Sequence, residues 1–147
     1  LVRGGFFIEN HTVDHPDLRS LEVGAIEAEL EECDDEIEQR TGRRPRFFAY
    51  PFGYFDEASA QVARARYEGT VTTELRTLCP SEDHALLPRL DTFYLKTRSL
   101  FSNLDHASVQ AYLSLRSFLR SARGTQVIPS TGLVGAAQRA FGGWTRS

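Results

Sequence analysis

The 147-residue chain contains no methionine, one tryptophan and only two cysteines. Cys33 and Cys79 form no CxxC pair and are too few for a disulfide framework, so the redox compartment stays open. Cys33 falls on the apolar side of a predicted helix, the setting of a buried, inert thiol. No apolar run approaches the roughly 18 residues that a membrane span needs. Basic residues are in slight deficit, 17 Lys and Arg against 20 Asp and Glu for a net charge of -3. That balance excludes a nucleic-acid surface spread over the whole molecule. Internal repeats and low-complexity runs are also missing. The opening, LVRGGFFIENH, has no initiator Met, charged n-region or long apolar h-region, and reads as a chain that begins inside a domain. What is present is the composition of one globular domain with a real core: 41% apolar and 25% charged residues.

The pattern along the chain alternates. Phe6-Phe7-Ile8 is a short apolar run after two glycines and reads as a buried strand. Pro16 turns the chain, and Ser20 is placed to cap a helix over about 21–40. Ile26, Leu30, Cys33 and Ile37 repeat there at helical spacing. Acids fill the other faces, Asp34-Asp35 among them, and read as a solvated surface. Gly42 suits the left-handed cap. Residues 46–51, RFFAYP, form a second strand pattern, stopped by Pro51 and Gly53. Asp56 can cap a helix over 57–68, with Ala58, Val62, Ala65 and Tyr67 as its apolar stripe. TVTTEL, 70–75, is β-branched and reads as a third strand, and 86–95 as a fourth extended segment with Pro88 at its edge or start. Asp105 can cap a further helix over 107–122, with Arg116, Arg120 and Arg123 on its polar side. Residues 124–147 carry five glycines and Trp144.

Strand, helix, strand, helix, strand is the rhythm of parallel βα units, whose sites lie at the C-terminal strand ends. Two chemically suggestive stretches fall there: ENHTVDH at 9–15 and YPFGYFD at 50–56. His11 and His15, four apart, can face one ion if the backbone turns helically between them. The same pair also fits a surface turn. A hydrolytic metal site further needs a carboxylate and an open position for water, with Asp14 and Asp17 as the local candidates.

The order of these motifs narrows the choice. FIENHTVDHPDL, an acidic helix, FFAYPFGYFD and then TVTT together resemble the polysaccharide deacetylases, the NodB-homology or carbohydrate esterase 4 family. The resemblance covers residues 4 to about 91. It implies a partial (β/α) barrel, with residues 1–95 as the C-terminal part of a deacetylase domain; it assigns no role to the helix and tail over 96–147. It implies that His11 and His15 ligate a divalent ion, zinc by preference, and that Tyr50, Pro51, Phe52 and Tyr54 line the substrate groove. The Phe52 N–H would stabilise the oxyanion. Ala49 stands where the family's groove motif has arginine, with Arg46 and Arg89 as candidate substitutes. The family's Asp-Asp motif, which supplies a general base and the third metal ligand, has no counterpart here. Its late Leu-x-His motif has one literal match, Leu104-Asp105-His106.

The implied chemistry is removal of N-acetyl or O-acetyl groups from a polysaccharide. The ion would polarise the acetyl carbonyl and lower the pKa of bound water from 15.7 toward about 7. Three readings follow: a deacetylase segment inactive by itself, a noncatalytic carbohydrate-binding relative, and a metal-free interaction domain with an incidental histidine pair.

Overall fold

A computed structural model of the chain describes residues 1–122. The predicted features at Arg123 and over 124–147 lie outside the described residues. Four extended segments lie side by side in sequence order, all parallel. The middle two are strands, β1 (Phe47–Ala49) and β2 (Gly69–Val71), with Phe48 opposite Thr70. The outer two make single parallel bridges, Asn10 to Phe48 and Leu87 to Val71. Asn10 N–H donates to Phe47 O at 3.2 Å, and Ala49 N–H donates back to Asn10 O at 3.1 Å. On the other side Leu87 N–H donates to Thr70 O and Thr72 N–H to Leu87 O, each at 2.9 Å. The arc has the parallel βα order that the pattern predicts.

Helix α1 (Val23–Thr41) connects the first two segments, and α2 (Glu57–Arg66) the next two. Both arise from local signals. Asp56 accepts from Ser59 N–H while Ser59 Oγ bonds the Asp56 N–H, a complete capping box at α2. Gly42, at φ 73°, closes α1 with its N–H on Glu38 O. The core between helices and arc contains Leu18, Ile26, Leu30, Phe48, Tyr50, Ala63 and Tyr67. A second apolar cluster joins Leu75 and Leu95 to Val109 and Leu113 of α4 (Ala107–Ala122), beyond the short α3 (Arg98–Ser102).

Several expectations need correction. Phe6-Phe7-Ile8 is not a buried strand: Phe6 and Phe7 are more than 60% exposed, and pairing begins only at Asn10. An apolar run alone does not create a ladder partner. Ser20 does not cap α1; it ends a single 3₁₀ turn capped by Asp17, and α1 starts after Glu22 without a side-chain cap. In α2 the buried face is Ser59, Ala60 and Ala63, a rotation from the predicted stripe. At α4, Val109 and Gln110 donate to His106 O, and Ser108 N–H donates to His106 Nδ1, so His106 stands in the place expected of Asp105.

Candidate active site

Because the four segments are parallel, their C-terminal ends share one rim. The turns leaving them bring His11 and His15, then Phe52 and Tyr54, then Thr73, then Arg89 onto that rim in chain order. All three non-glycine residues with positive φ among the described residues lie in its first two turns: Thr12 at 66°, His15 at 54° and Phe52 at 58°. Such conformations cost free energy and persist only where surrounding contacts enforce them.

The enforcing contacts come from α1. Asn10, at 1% exposure, donates from Nδ2 to Leu30 O at 2.9 Å and to Asp34 Oδ1 at 2.7 Å. Its Oδ1 accepts from Thr12 N–H at 2.8 Å. Thr12 Oγ1 in turn accepts from His15 N–H at 3.0 Å. The His11 N–H donates to the Cys33 sulfur, a thiol whose pKa burial pushes up. Glu29 Oε1 accepts from Val13 N–H at 2.9 Å and from Asp14 N–H at 2.6 Å. Asp34 is thus not part of a solvated face. It is buried under Asn10, Tyr67 OH at 3.1 Å and Arg66 Nε at 2.8 Å. Burial raises its carboxyl pKa against the pull of those donors. Glu29→Ala is expected to lower stability by about 0.5–1.5 kcal/mol in urea unfolding, because two exposed N–H groups exchange a charged acceptor for water. Amide exchange at Val13 and Asp14 should speed up in the same variant.

The imidazoles meet. His11 Nε2 and His15 Nε2 are 3.1 Å apart. The Nδ1 of His11 bonds Ala49 O at 2.7 Å, which places its proton there and leaves Nε2 as a lone-pair donor. At that separation both Nε2 atoms could reach one ion with bonds of about 2.0–2.1 Å, the length of Zn–N bonds. Two such nitrogens therefore fit part of a tetrahedral set. No group of three His, Cys, Asp or Glu side chains that could hold an ion occurs among the described residues.

The Phe52 ring packs edge-on against His15, with centroids 4.4 Å apart. Phe52 is exposed, and its N–H has no hydrogen-bond partner among the described residues. The turn is held from behind. A Cβ on Gly53 would stand 2.2 Å from Thr73 Oγ1, and Gly53 N–H donates to Tyr50 O at 2.9 Å.

Other predicted site residues go elsewhere. Tyr50 and Pro51 are buried, so neither offers a face to a sugar. The Tyr50 hydroxyl donates to Ala85 O at 3.0 Å, and burial pushes its pKa up to about 12. Tyr54 remains half-buried beside Phe52, at 5.7 Å between centroids. Arg46 cannot replace the missing guanidinium. It precedes β1, at the opposite end from the rim, and is paired with Glu68 at 2.5 Å. Asp17 is committed to Arg19, which holds its carboxyl below the usual range. Arg19 itself stacks on Tyr54 at 4.2 Å, a cation at the aromatic wall that the sequence pattern did not single out. Asn10 and Glu29 were missed as well. Only the adjacency of Asn10 to His11 signals its role, while Glu29 is one acid among many on α1.

Residues 1–67 match the family model for polysaccharide deacetylase. The uncharacterised protein YlxY of Bacillus subtilis is 35% identical over 78 residues, 53% of this chain and 24% of that protein. The Streptococcus pyogenes deacetylase PplD, solved with acetate, superposes with a TM-score of 0.53 at 26% identity over 56% of this chain and 37% of that one. The polysaccharide deacetylase BC0361 of Bacillus cereus gives 0.55 at 25% identity over 60% and 28%. The chain thus spans about a quarter of the curated relative's length and about a third of these solved chains. The arc is part of a NodB-type (β/α) barrel, and residues 1–67 are similar in sequence to the polysaccharide deacetylase family.

Proposed function

We propose that this rim is the imidazole and oxyanion half of a metal-dependent site that removes acetyl groups from an N-acetylated polysaccharide. The observation that carries this reading is the 3.1 Å approach of two Nε2 atoms, one of them tautomerically set by Ala49 O. His11 and His15 would hold a divalent ion, by preference zinc. When bound, such an ion polarises the acetyl carbonyl and acidifies water. The chain's own contribution is placement. Ala49 O, Cys33 and Glu29 orient the two imidazoles through backbone and ring contacts. The free N–H of Phe52 would donate to the carbonyl oxygen as negative charge develops on it. The Phe52 and Tyr54 rings would offer apolar faces to a sugar, with Arg19 behind Tyr54.

The test is zinc or cobalt titration of the purified chain by calorimetry and absorption. Wild type is expected to bind one equivalent, and His11→Ala and His15→Ala to lose at least tenfold in affinity each. Equal binding by all three proteins would sink the metal reading. A second reading, carbohydrate binding without hydrolysis, is favoured by the absence, among the described residues, of a third ligand group beside the two histidines. Loss of base catalysis alone costs about 10²–10⁴-fold. Acetate release by the chain with added zinc is therefore expected not to exceed a zinc-only control, while an N-acetylglucosamine oligomer still binds.

A further inference from the structure

Beyond the turn that carries Phe52, the rim continues into a cavity of about 340 Å³ lined by Thr73, Arg89, Leu90, Asp91, Thr92 and Arg120. Most arginines of this acidic chain are already paired: Arg19 with Asp17, Arg44 with four acids of α1, Arg64 with Asp83, Arg66 with Asp34, and Arg76 with Glu74 and Glu82. Arg89 and Arg120 break that pattern. Neither guanidinium has an acidic or aromatic partner among the described residues, yet the two come from distant parts of the chain to one cavity. Arg89 is fixed there by its backbone N–H on Glu74 O at 2.9 Å, and Arg120 by the docking of α4 on the second apolar cluster.

We propose that Thr73, Arg89 and Arg120 form an anion-recognising subsite beside the acetyl site, taking a carboxylate or phosphate substituent borne by the sugar chain. Guanidinium forks match both oxyanions bidentately, and a hydroxyl adds a third donor. Asp91 lines the same cavity, but its Oδ1 already accepts from Phe93 N–H at 2.8 Å. One carboxylate against two guanidiniums leaves the cavity with a net positive charge in a chain of net charge -3. The second Asp91 oxygen suits a sugar hydroxyl. Thr73 is the shared wall: its Oγ1 fills the space beside Gly53, so the cavity begins where the Phe52 turn ends. A polymer crossing Phe52 and Tyr54 would reach it with a neighbouring sugar. This assignment extends the acetyl-site reading but has its own test.

The experiment follows the arginine Nε–H signals of the whole chain by NMR with four probes. These are inorganic phosphate, a neutral N-acetylglucosamine oligomer, the same oligomer with a carboxylate on one sugar, and the same oligomer with a phosphate. Arg89 and Arg120 are expected to shift with phosphate and with the charged oligomers. At least one charged oligomer should bind tenfold or more tighter than the neutral one, with a preference that shrinks as salt rises. The two charged arms decide between carboxylate and phosphate. In the Arg120→Gln variant the preference should fall while neutral-oligomer affinity and the unfolding midpoint stay unchanged, and in the Arg89→Gln, Arg120→Gln double variant the preference should vanish. Phosphate needs no acetyl site, so it separates failure of this subsite from failure of the deacetylase reading. Guanidinium signals unmoved by phosphate and by both charged oligomers, or an undiminished preference in the folded double variant, would overturn the proposal.

Discussion

Replacing Asp34 by alanine is expected to lower the stability of the chain by about 3 kcal/mol, the scale for removing one partner of a buried ion pair. Asn10 Nδ2, Tyr67 OH and Arg66 Nε all donate to this carboxylate, which is 1% exposed. Arg66 keeps Glu31 as a partner, but the other two donors are left facing a void. For a chain of this size the loss corresponds to a fall of about 6–12 °C in melting temperature. The effect reaches the site because Asn10 connects Asp34 to Thr12 N–H, so the variant should also speed amide exchange in the turn that carries His11 and His15. The pH dependence has a definite sign. Burial raises the folded-state pKa of Asp34 above its ordinary value of 3.8, so the folded state binds this proton more tightly than the unfolded state does. The group's contribution to stability therefore grows as pH falls through the folded pKa toward 3.8. The stability gap between wild type and Asp34→Ala should widen over that window. A gap that narrows on acidification, or a loss below about 1 kcal/mol, would show that the carboxylate is not held as described.

Gly53→Ala is the second large effect, expected to cost about 2–4 kcal/mol in thermal or urea unfolding. Two terms add. Alanine at φ 74° gives up about 1 kcal/mol of backbone freedom that only glycine has. Its methyl would also stand 2.2 Å from Thr73 Oγ1 and 2.6 Å from Thr73 Cγ2, an overlap that forces a backbone shift worth about 1–3 kcal/mol. The two separate experimentally. Thr73→Ala in the Gly53→Ala background should recover only part of the steric cost, because the Cβ of residue 73 still stands 2.8 Å from the new methyl, and a double-mutant cycle reads that coupling directly. Because Phe52 precedes Gly53 and itself holds φ 58°, the single variant should also move the Phe52 ring off His15. That displacement is visible as a change in ring-current shifts of the His15 protons. Additive effects of the two substitutions would show that Thr73 does not support the turn.

Read as sequence alone, the chain discloses what is set within a few residues. Periodicity and local caps place α1, α2 and α4 to within a few residues, with Gly42 and Asp56 in the roles their chemistry implies. The order of extended segments and their parallel sense follow from the alternation with helices, because a crossover helix returns the chain in the same direction. The histidine spacing and the order of the two motifs are legible as a family resemblance. What tertiary structure alone decided is who meets whom. Phe6-Phe7-Ile8 and Phe48-Ala49-Tyr50 look alike as apolar runs. Only the second has a ladder on both sides and two helices over it, so only the second is buried. Tyr50 is core and Phe52 is rim because the turn at Pro51–Gly53 swings the chain outward between them. The acids of α1 are indistinguishable along the helix, yet Glu29 and Asp34 face the histidine loop while Glu36 pairs with Arg40 on the surface. Arg89 and Arg120 are separated by a helix and two turns in sequence, and share a cavity only through the docking of α4. Hydrogen bonds and ion pairs between distant residues depend on the packing of whole elements, and no local pattern encodes that packing.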